Sequence, residues 1–403
     1  TALIIVVFGQ LRFDRTNGYS AIFSNASGLR AGQFVRASGV EVGKISKVEL
    51  LKGGSAVRVD FTVDRSLDLF DETTASIRYL NLIGDRYMDL KRGQSNRRLP
   101  AGGTIPLERT EPALDLDARL ERLRLIAPRE VADEVRAVEG SIEDRELIER
   151  LVADHGVTHL CHLAALLIPV CQRDPVLGAR VNVLGTLNLF EAARGRRVVY
   201  ASSAAVWGPP DMYPDRPLTE ADPLRPATFY GVYKQANEQC ARIYAETAGI
   251  PSIGLRPWTV YGPGRDFGLT SDPTHALRAV VLGKPFRIRL TGPMDLQYVG
   301  DVAMAFVRCL ESDLPGAHVF NLAGELAQVE ELIPLIEELR PRAKGLLRCE
   351  GPRVPVAARM DGSALARMVP GIPRTPLKEG LRRSLELFER LHAEGRLDAA
   401  LPE

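Results

Sequence analysis

The stretch VVYASSAAVWG at residues 198–208 decides the fold of the larger part of this 403-residue chain. Its first four residues are β-branched, aromatic or small, which is typical of a strand buried on both faces of a parallel sheet. Two similar apolar runs, THLCHLAA at 158–165 and GAHVFNLAG at 316–324, alternate with helical patterns such as NVLGTLNLFEAA at 182–193. This alternation predicts an α/β fold built on a parallel sheet.

Polar residues follow the strand at the edge where such sheets bind ligands. Ser202 and Ser203 come directly after the apolar run, and ligands of open α/β sheets bind at the carboxyl ends of the strands. Tyr230 and Lys234 stand four residues apart in a predicted helix and therefore on one face. An ammonium beside a phenol favours the phenolate, so Tyr230 could exchange a proton with a substrate hydroxyl held by a serine.

The order of these motifs along the chain resembles that of extended short-chain, NAD-dependent epimerases and dehydratases. HLAA, the Asn182 segment, the two serines and the Tyr/Lys pair are followed by GLRPWTVYGPGR at 254–265 and LQYVGDVAMAFVRCL at 296–310. The resemblance covers residues 126–395. It implies transient hydride transfer between NAD or NADP and a carbon of a sugar or nucleotide-sugar.

The resemblance also assigns roles to residues of this chain. It implies that Tyr230 is the acid-base group, that Lys234 binds the nicotinamide ribose and that Ser203 polarises the substrate oxygen. The cofactor-binding residues implied in the same way are Ile142, Ala164, Ala165, Asn182, Tyr230, Lys234 and Pro257.

The glycine-rich turn that normally holds the pyrophosphate of a dinucleotide is absent from this chain. Gly262-Pro-Gly264 comes too late, and Gly102-Gly103 lies in a different module. The resemblance begins just before the third strand of the family, with VRAVEGSIEDRELIERL at 135–151. We therefore predict a Rossmann-like sheet that lacks its first two strands, has an open edge and binds its cofactor poorly.

Residues 19–107 show a different pattern, which predicts a module of short strands. AVRVDFTVD at 56–64 alternates with period two, and glycines punctuate the segment at turn-like intervals. The first 150 residues contain no His or Cys. The pattern is typical of a small barrel or sandwich without a metal site.

Three stretches of this module resemble the MCE or MlaD-like domain, namely 19–50, 73–90 and 99–110. The resemblance implies a small β-barrel that follows a membrane helix, assembles into rings and passes lipids between envelope membranes. The apolar run at 1–8 stands where that helix would end, and Leu82 and Ile83 correspond to a pore-lining loop. Alternatively, these two side chains pack into the core of the barrel.

The predicted organisation is multidomain, with an MCE-like β-barrel at 1–112, a junction at 113–125 and an epimerase/dehydratase-like domain at 126–403. The sum of Lys and Arg (52) nearly equals that of Asp and Glu (51), which argues against a nucleic-acid partner. The spacing of the five cysteines suits neither a zinc site nor a disulfide framework, so no metal is expected.

Three functions stay open from the sequence. The chain is an NAD-dependent enzyme impaired by the loss of its glycine-rich loop, a lipid-transport component of an envelope ring complex, or a non-functional fusion of two gene fragments. The relatives of the second part work in the cytoplasm, whereas those of the first part are anchored in the cell envelope.

Overall fold

The computed structural model describes residues 16–111 except 25, 27–28, 38–39, 52–55, 80–85 and 94, residues 135–398 except 139 and 269, and residue 401. Its contacts divide the chain into two compact units, Thr1–Ser141 and Ile142–Glu403. The apolar run at 1–8, the junction at 113–125 and the loop residues Leu82 and Ile83 lie outside the described residues. The predicted domain boundaries at 112 and 126 therefore stay predictions.

The first unit contains one eight-stranded sheet in the order β7-β1-β4-β3-β2-β6-β5-β8. The strands are β1 (Thr16–Phe23), β2 (Phe34–Ala37), β3 (Val40–Leu50), β4 (Val57–Asp64), β5 (Thr74–Tyr79), β6 (Arg86–Lys91), β7 (Thr104–Ile105) and β8 (Thr110–Glu111), with a 3-10 turn at Leu107–Arg109.

The alternating pattern of this unit does bury one face of its sheet. In β4, Val59, Phe61 and Val63 are buried, whereas the residues between them are more exposed. They join a core that includes Phe23 and Met88 from other strands. Alternate side chains of a strand point to opposite faces, so period two in the sequence becomes one apolar face.

The second unit is α/β, as predicted. Its strands are β9 (His159–His162), β10 (Arg197–Ala201), β11 (Ser252–Arg256), β12 (Thr259–Tyr261), β13 (Phe286–Ile288), β14 (Pro293–Tyr298), β15 (Ala317–Asn321), β16 (Glu325–Gln328) and β17 (Leu347–Cys349). Its α-helices are α1 (Arg145–Asp154), α2 (Ile168–Arg173), α3 (Pro175–Ala179), α4 (Gly185–Ala192), α5 (Phe229–Ala248), α6 (Asp272–Leu282), α7 (Val299–Leu310), α8 (Leu332–Leu339), α9 (Ser363–Met368) and α10 (Leu377–Ala393).

The main sheet has the order β15-β11-β10-β9, and all its strands are parallel. Smaller sheets of order β12-β14-β16 and β13-β17 follow along the chain. One face of the main sheet packs on α7, with Val199, Leu255 and Phe306 in the core, and the other packs on α4 and α5. Burial on both faces explains why its strands read as continuous apolar runs.

Within the described residues, β9 is an edge strand that pairs only with β10. The resemblance begins at 135 just before the family's third strand, but residues 135–138 and 140 form no strand, and Val135 and Val138 are 44% and 50% exposed. A strand needs a neighbour for its backbone hydrogen bonds, and this segment pairs with no other described strand.

None of the described helices has both the length and the apolar character needed to cross a bilayer. In the same part of the chain, no three His, Cys, Asp or Glu side chains are grouped closely enough to bind a metal ion.

Candidate active site

A cleft of about 180 Å³, partly open to solvent, lies at the carboxyl end of β10. Its walls come from the loop after β9, the segment after β10, the start of α5 and the loop between β12 and α6. The lining residues are Leu167, Ile168, Pro169, Ser203, Ala204, Ala205, Tyr230, Pro257, Trp258, Val260, Arg265, Gly268, Thr270, Val354 and Val356.

Ser203 and Tyr230 meet in this cleft. Ser203 caps the 3-10 turn Ala204–Val206, and its Oγ accepts a hydrogen bond from the N–H of Ala205 at 3.1 Å. The side chain of Thr228 caps α5 by accepting from the N–H of Gly231 at 3.1 Å. These two caps hold the serine and the first turn of the tyrosine helix.

Gly231 lets α5 approach the serine segment closely. A Cβ at this position would lie 2.1 Å from the carbonyl oxygen of Ala205, a distance that real Cβ atoms do not show. The absence of a side chain at Gly231 therefore brings Tyr230 within hydrogen-bonding range of Ser203, and that hydrogen bond lowers the pKa of Tyr230.

The pKa of Tyr230 is nevertheless raised above that of a free phenol. Burial is the largest cause, and it outweighs both the hydrogen bond from Ser203 and the positive charge of Arg265, which lower the pKa. The expectation that Lys234 brings the Tyr230 pKa towards neutrality is therefore not met here. The free energy that the phenolate loses when it is removed from water exceeds the stabilisation that Ser203 and Arg265 provide.

Lys234 is 3% exposed and lies on the same face of α5 as Tyr230. Its Nζ is 5.6 Å from the centre of the Tyr230 ring and donates a hydrogen bond to the carbonyl oxygen of Ala201 at 2.6 Å. Burial lowers the pKa of Lys234 to about 8. The helical spacing predicted from sequence thus brings the two side chains together.

Asn182 is buried inside the π-helical turn Arg180–Leu184. Its Oδ1 accepts from the N–H of Leu166 at 2.7 Å, and its Nδ2 donates to the carbonyl oxygen of Leu166 at 2.9 Å. The side chain therefore holds the loop after β9. Its predicted contact with a cofactor stays a prediction.

The other predicted cofactor residues occupy three places. Ala164 and Ala165 lie in the loop after β9, at the carboxyl edge of the sheet, and Pro257 lines the cleft. Ile142 is half-buried, and its side chain packs against Gly185. A Cβ added to Gly185 would lie only 2.6 Å from the Ile142 side chain. Ala164, Ala165 and Pro257 therefore lie at the carboxyl edge of the sheet, whereas Ile142 lies before α1.

A buried polar network lies behind the cleft, and the sequence did not lead us to predict it. Glu238 accepts hydrogen bonds from Ser202 at 2.5 Å and from Arg256 at 2.7 and 2.8 Å. The Arg256 guanidinium also lies 4.8 Å from the centre of the Trp207 ring. Helical spacing from Lys234 to Glu238 was a usable signal, since residues four apart share a helix face.

Arg265 is the second residue that the sequence reasoning missed, and it is the only charged residue among the described ones that line the cleft. Its Nε is buried without a hydrogen-bond partner, and its Nη2 donates to Thr270 Oγ1 at the long distance of 3.5 Å. Burial lowers its pKa. The signal was its place in YGPGR, directly after two glycines of the cleft loop.

Two family models match the chain. The model described as the NAD dependent epimerase/dehydratase family matches residues 114–323, which is more than half of the chain. The model of the MlaD protein matches residues 15–93. Both resemblances predicted from sequence are therefore confirmed, each in its own part of the chain.

Known proteins of similar sequence and structure agree with the first match. A UDP-glucose 4-epimerase of Mycolicibacterium smegmatis is 30% identical over 277 residues, which are 64% of this chain and 84% of that protein. The structure of the Thermotoga maritima UDP-glucose 4-epimerase with UDP-glucose matches at 25% identity and a TM-score of 0.57, covering 63% of this chain and 84% of the other. The Thermus thermophilus UDP-glucose 4-epimerase in complex with NAD matches at 28% identity and a TM-score of 0.56, covering 65% and 86%.

Proposed function

Because the chain belongs to the NAD dependent epimerase/dehydratase family, we propose that its second unit is an oxidoreductase-type domain acting on a nucleotide-sugar with NAD or NADP. The observation that carries this proposal is the arrangement of Ser203, Tyr230 and Lys234 at the carboxyl edge of the sheet. The relatives that bind UDP-glucose and NAD make UDP-sugars the first ligands to test.

Each of the three side chains has a proposed role. Ser203 hydrogen-bonds the reacting hydroxyl of the sugar, and Tyr230 takes its proton and later returns one. The ammonium of Lys234 stabilises the phenolate that is present before Tyr230 takes this proton and again after it returns one, because an opposite charge nearby favours the charged state. A bound dinucleotide would supply the hydride acceptor.

The residues at the nicotinamide end fit such a cofactor better than those at the pyrophosphate end. Tyr230, Lys234 and Pro257 lie close to the cleft, whereas no glycine-rich turn between a strand and a helix occurs in the sequence. We therefore propose that the Rossmann-like sheet is truncated, that cofactor affinity is low and that turnover is impaired.

The test is calorimetric titration of NAD and NADP into the full chain, followed by a turnover assay with UDP-glucose. We expect weak but saturable binding, and loss of turnover in Tyr230→Phe. Tyr244→Phe is the matched control, because Tyr244 lies near the C-terminal end of α5 and its hydroxyl donates to Glu191, and neither residue lines the cleft. If neither NAD nor NADP binds, the proposal is contradicted.

We propose a second function for the first unit, supported by the MlaD match at residues 15–93. In this proposal the sheet closes into a barrel, copies assemble into a ring, and Leu82 and Ile83 line the lipid passage. The side chain of Thr110 in β8 donates to the carbonyl oxygen of Ile22 in β1 at 2.6 Å, which supports closure.

The test of the second function is the mass of the purified chain by light scattering together with extraction of bound lipid. We expect a ring oligomer with co-purified phospholipid, and less lipid in the Leu82→Ser/Ile83→Ser variant. A lipid-free monomer would contradict it. If the nucleotide-sugar tests fail as well, a non-functional fusion of two gene fragments is what remains.

A further inference from the structure

The cleft contains one charge that its protein surroundings do not neutralise. Arg265 shares the cleft with Ser203 and Tyr230, and no Asp or Glu is among the described residues that line it. The neighbouring acid, Asp266, is engaged elsewhere, because its Oδ1 accepts from Arg278 at 3.1 Å. Within the described residues, no carboxylate forms an ion pair with Arg265.

The guanidinium keeps most of its hydrogen-bonding capacity. Its buried Nε has no acceptor, and the contact from Nη2 to Thr270 is 3.5 Å long. An arginine carries five N–H donors in a planar fork that matches an oxyanion with two oxygens. A guanidinium that is partly removed from water and unpaired is costly, and a bound anion relieves that cost.

Space beside the guanidinium is provided by a glycine. Gly268 has a φ of +108°, and a Cβ at this position would lie 3.0 Å from Nη2 of Arg265 and 3.2 Å from Cδ1 of Leu167. Any side chain here would therefore reach the place where a ligand oxygen could approach Nη2. The backbone geometry thus leaves room at the positive group.

We propose that the sugar accepted by this cleft bears a carboxylate, as in a uronic acid, and that Arg265 binds this carboxylate. This inference rests on the proposed nucleotide-sugar function and names its substrate class. The position of Arg265 favours a group near the reacting carbon, because its charge acts on the Tyr230 hydroxyl. The other anion of a nucleotide-sugar, the diphosphate, is attached at the anomeric carbon.

The proposal makes Arg265 a determinant of specificity. A neutral hexose would leave the guanidinium unpaired, whereas a carboxylate would accept two parallel N–H bonds from it. Hydrogen bonds to charged groups contribute roughly 1.5–3 kcal/mol, which corresponds to about a 10- to 100-fold preference.

The experiment is calorimetric titration of UDP-glucuronate and UDP-glucose into the full chain, without added dinucleotide. We expect the wild type to bind UDP-glucuronate at least about tenfold more tightly. Arg265→Met should remove this preference, because it lowers the affinity for UDP-glucuronate more than the affinity for UDP-glucose. Arg242→Met is the matched control, since that arginine pairs with Glu246 on the surface of α5.

Each other outcome overturns the proposal in a recognisable way. Equal affinity of the wild type for the two ligands would contradict the substrate class but leave the nucleotide-sugar function standing. An equal loss for both ligands in Arg265→Met would assign Arg265 to the diphosphate. If neither ligand binds, the proposed function fails and the carboxylate assignment falls with it.

Discussion

Arg256 and Glu238 form an ion pair in the interior of the second unit, with Nη2 2.7 Å from Oε2 and the side chains 4% and 3% exposed. Arg256 ends β11 and Glu238 lies one turn after Lys234 in α5. The pair therefore ties the helix that carries Tyr230 and Lys234 to the central sheet. Removing one partner would leave a buried charge without compensation.

Glu238→Gln is expected to lower the free energy of unfolding by about 3 kcal/mol, because the Arg256 guanidinium loses its counter-charge. Urea unfolding followed by tryptophan fluorescence checks this. Trp207 and Trp258 are the only tryptophans of the chain and both lie in the second unit, so the signal reports this unit alone. The matched control is Glu246→Gln, an exposed partner of Arg242, with an expected loss of about 0.5 kcal/mol or less. Equal losses in the two variants would contradict the prediction.

His162 should make the second unit sensitive to mild acid. It is 4% exposed, its Nε2 lies 3.0 Å from Thr186 Oγ1, and burial together with the charge of Lys234 lowers its pKa to about 4. In the unfolded chain the pKa is about 6.5, so the unfolded state takes up a proton first as the pH falls. The contribution of neutral His162 to the free energy of unfolding is therefore fully present above pH 6.5 and is lost as the pH falls towards 4.

The measurement is the free energy of unfolding at pH 7 and pH 5. We expect the wild type to lose about 2 kcal/mol more over this interval than His162→Gln, whose amide can still donate to Thr186. The same pH dependence in both proteins would show that His162 is not the responsible group.

Lys234 should produce a pH dependence of the same sign in the alkaline range. Burial lowers its pKa to about 8, whereas the unfolded chain keeps its proton until about pH 10.4. Between these values the unfolded state binds more protons, so stability rises with pH. From pH 7 to pH 9 the wild type should gain about 1 kcal/mol relative to Lys234→Met. Unfolding curves that shift in parallel for the two proteins would refute this assignment.

Gly231→Ala should separate Tyr230 from Ser203. The new Cβ would meet the carbonyl oxygen of Ala205 at 2.1 Å, so the helix must move away, at a cost of about 1–3 kcal/mol. Unfolding by urea measures this cost, and Val232→Ala at an exposed position of the same helix is the control. Should Gly231→Ala be as stable as Val232→Ala, the close approach of α5 would not be required.

Much of the second unit was predictable because its signals are local. Apolar runs predicted β9, β10 and β15, and the spacing of Tyr230 and Lys234 predicted one face of α5. The third strand that the resemblance implies after residue 135 is not formed at 135–138 or 140. Strand formation depends on a neighbour, and the sequence of the segment carries no information about whether a neighbour is available.

The sequence by itself determined the two-part organisation, the α/β class of the second unit, and the candidate set of Ser203, Tyr230 and Lys234, since these follow from periodicity and short spacings. Only the tertiary structure decided the protonation of that site. The pKa of Tyr230 is raised and that of Lys234 falls to about 8 because residues distant in sequence remove water from them. Desolvation depends on the complete packing around a group, and no pattern of neighbouring residues specifies it.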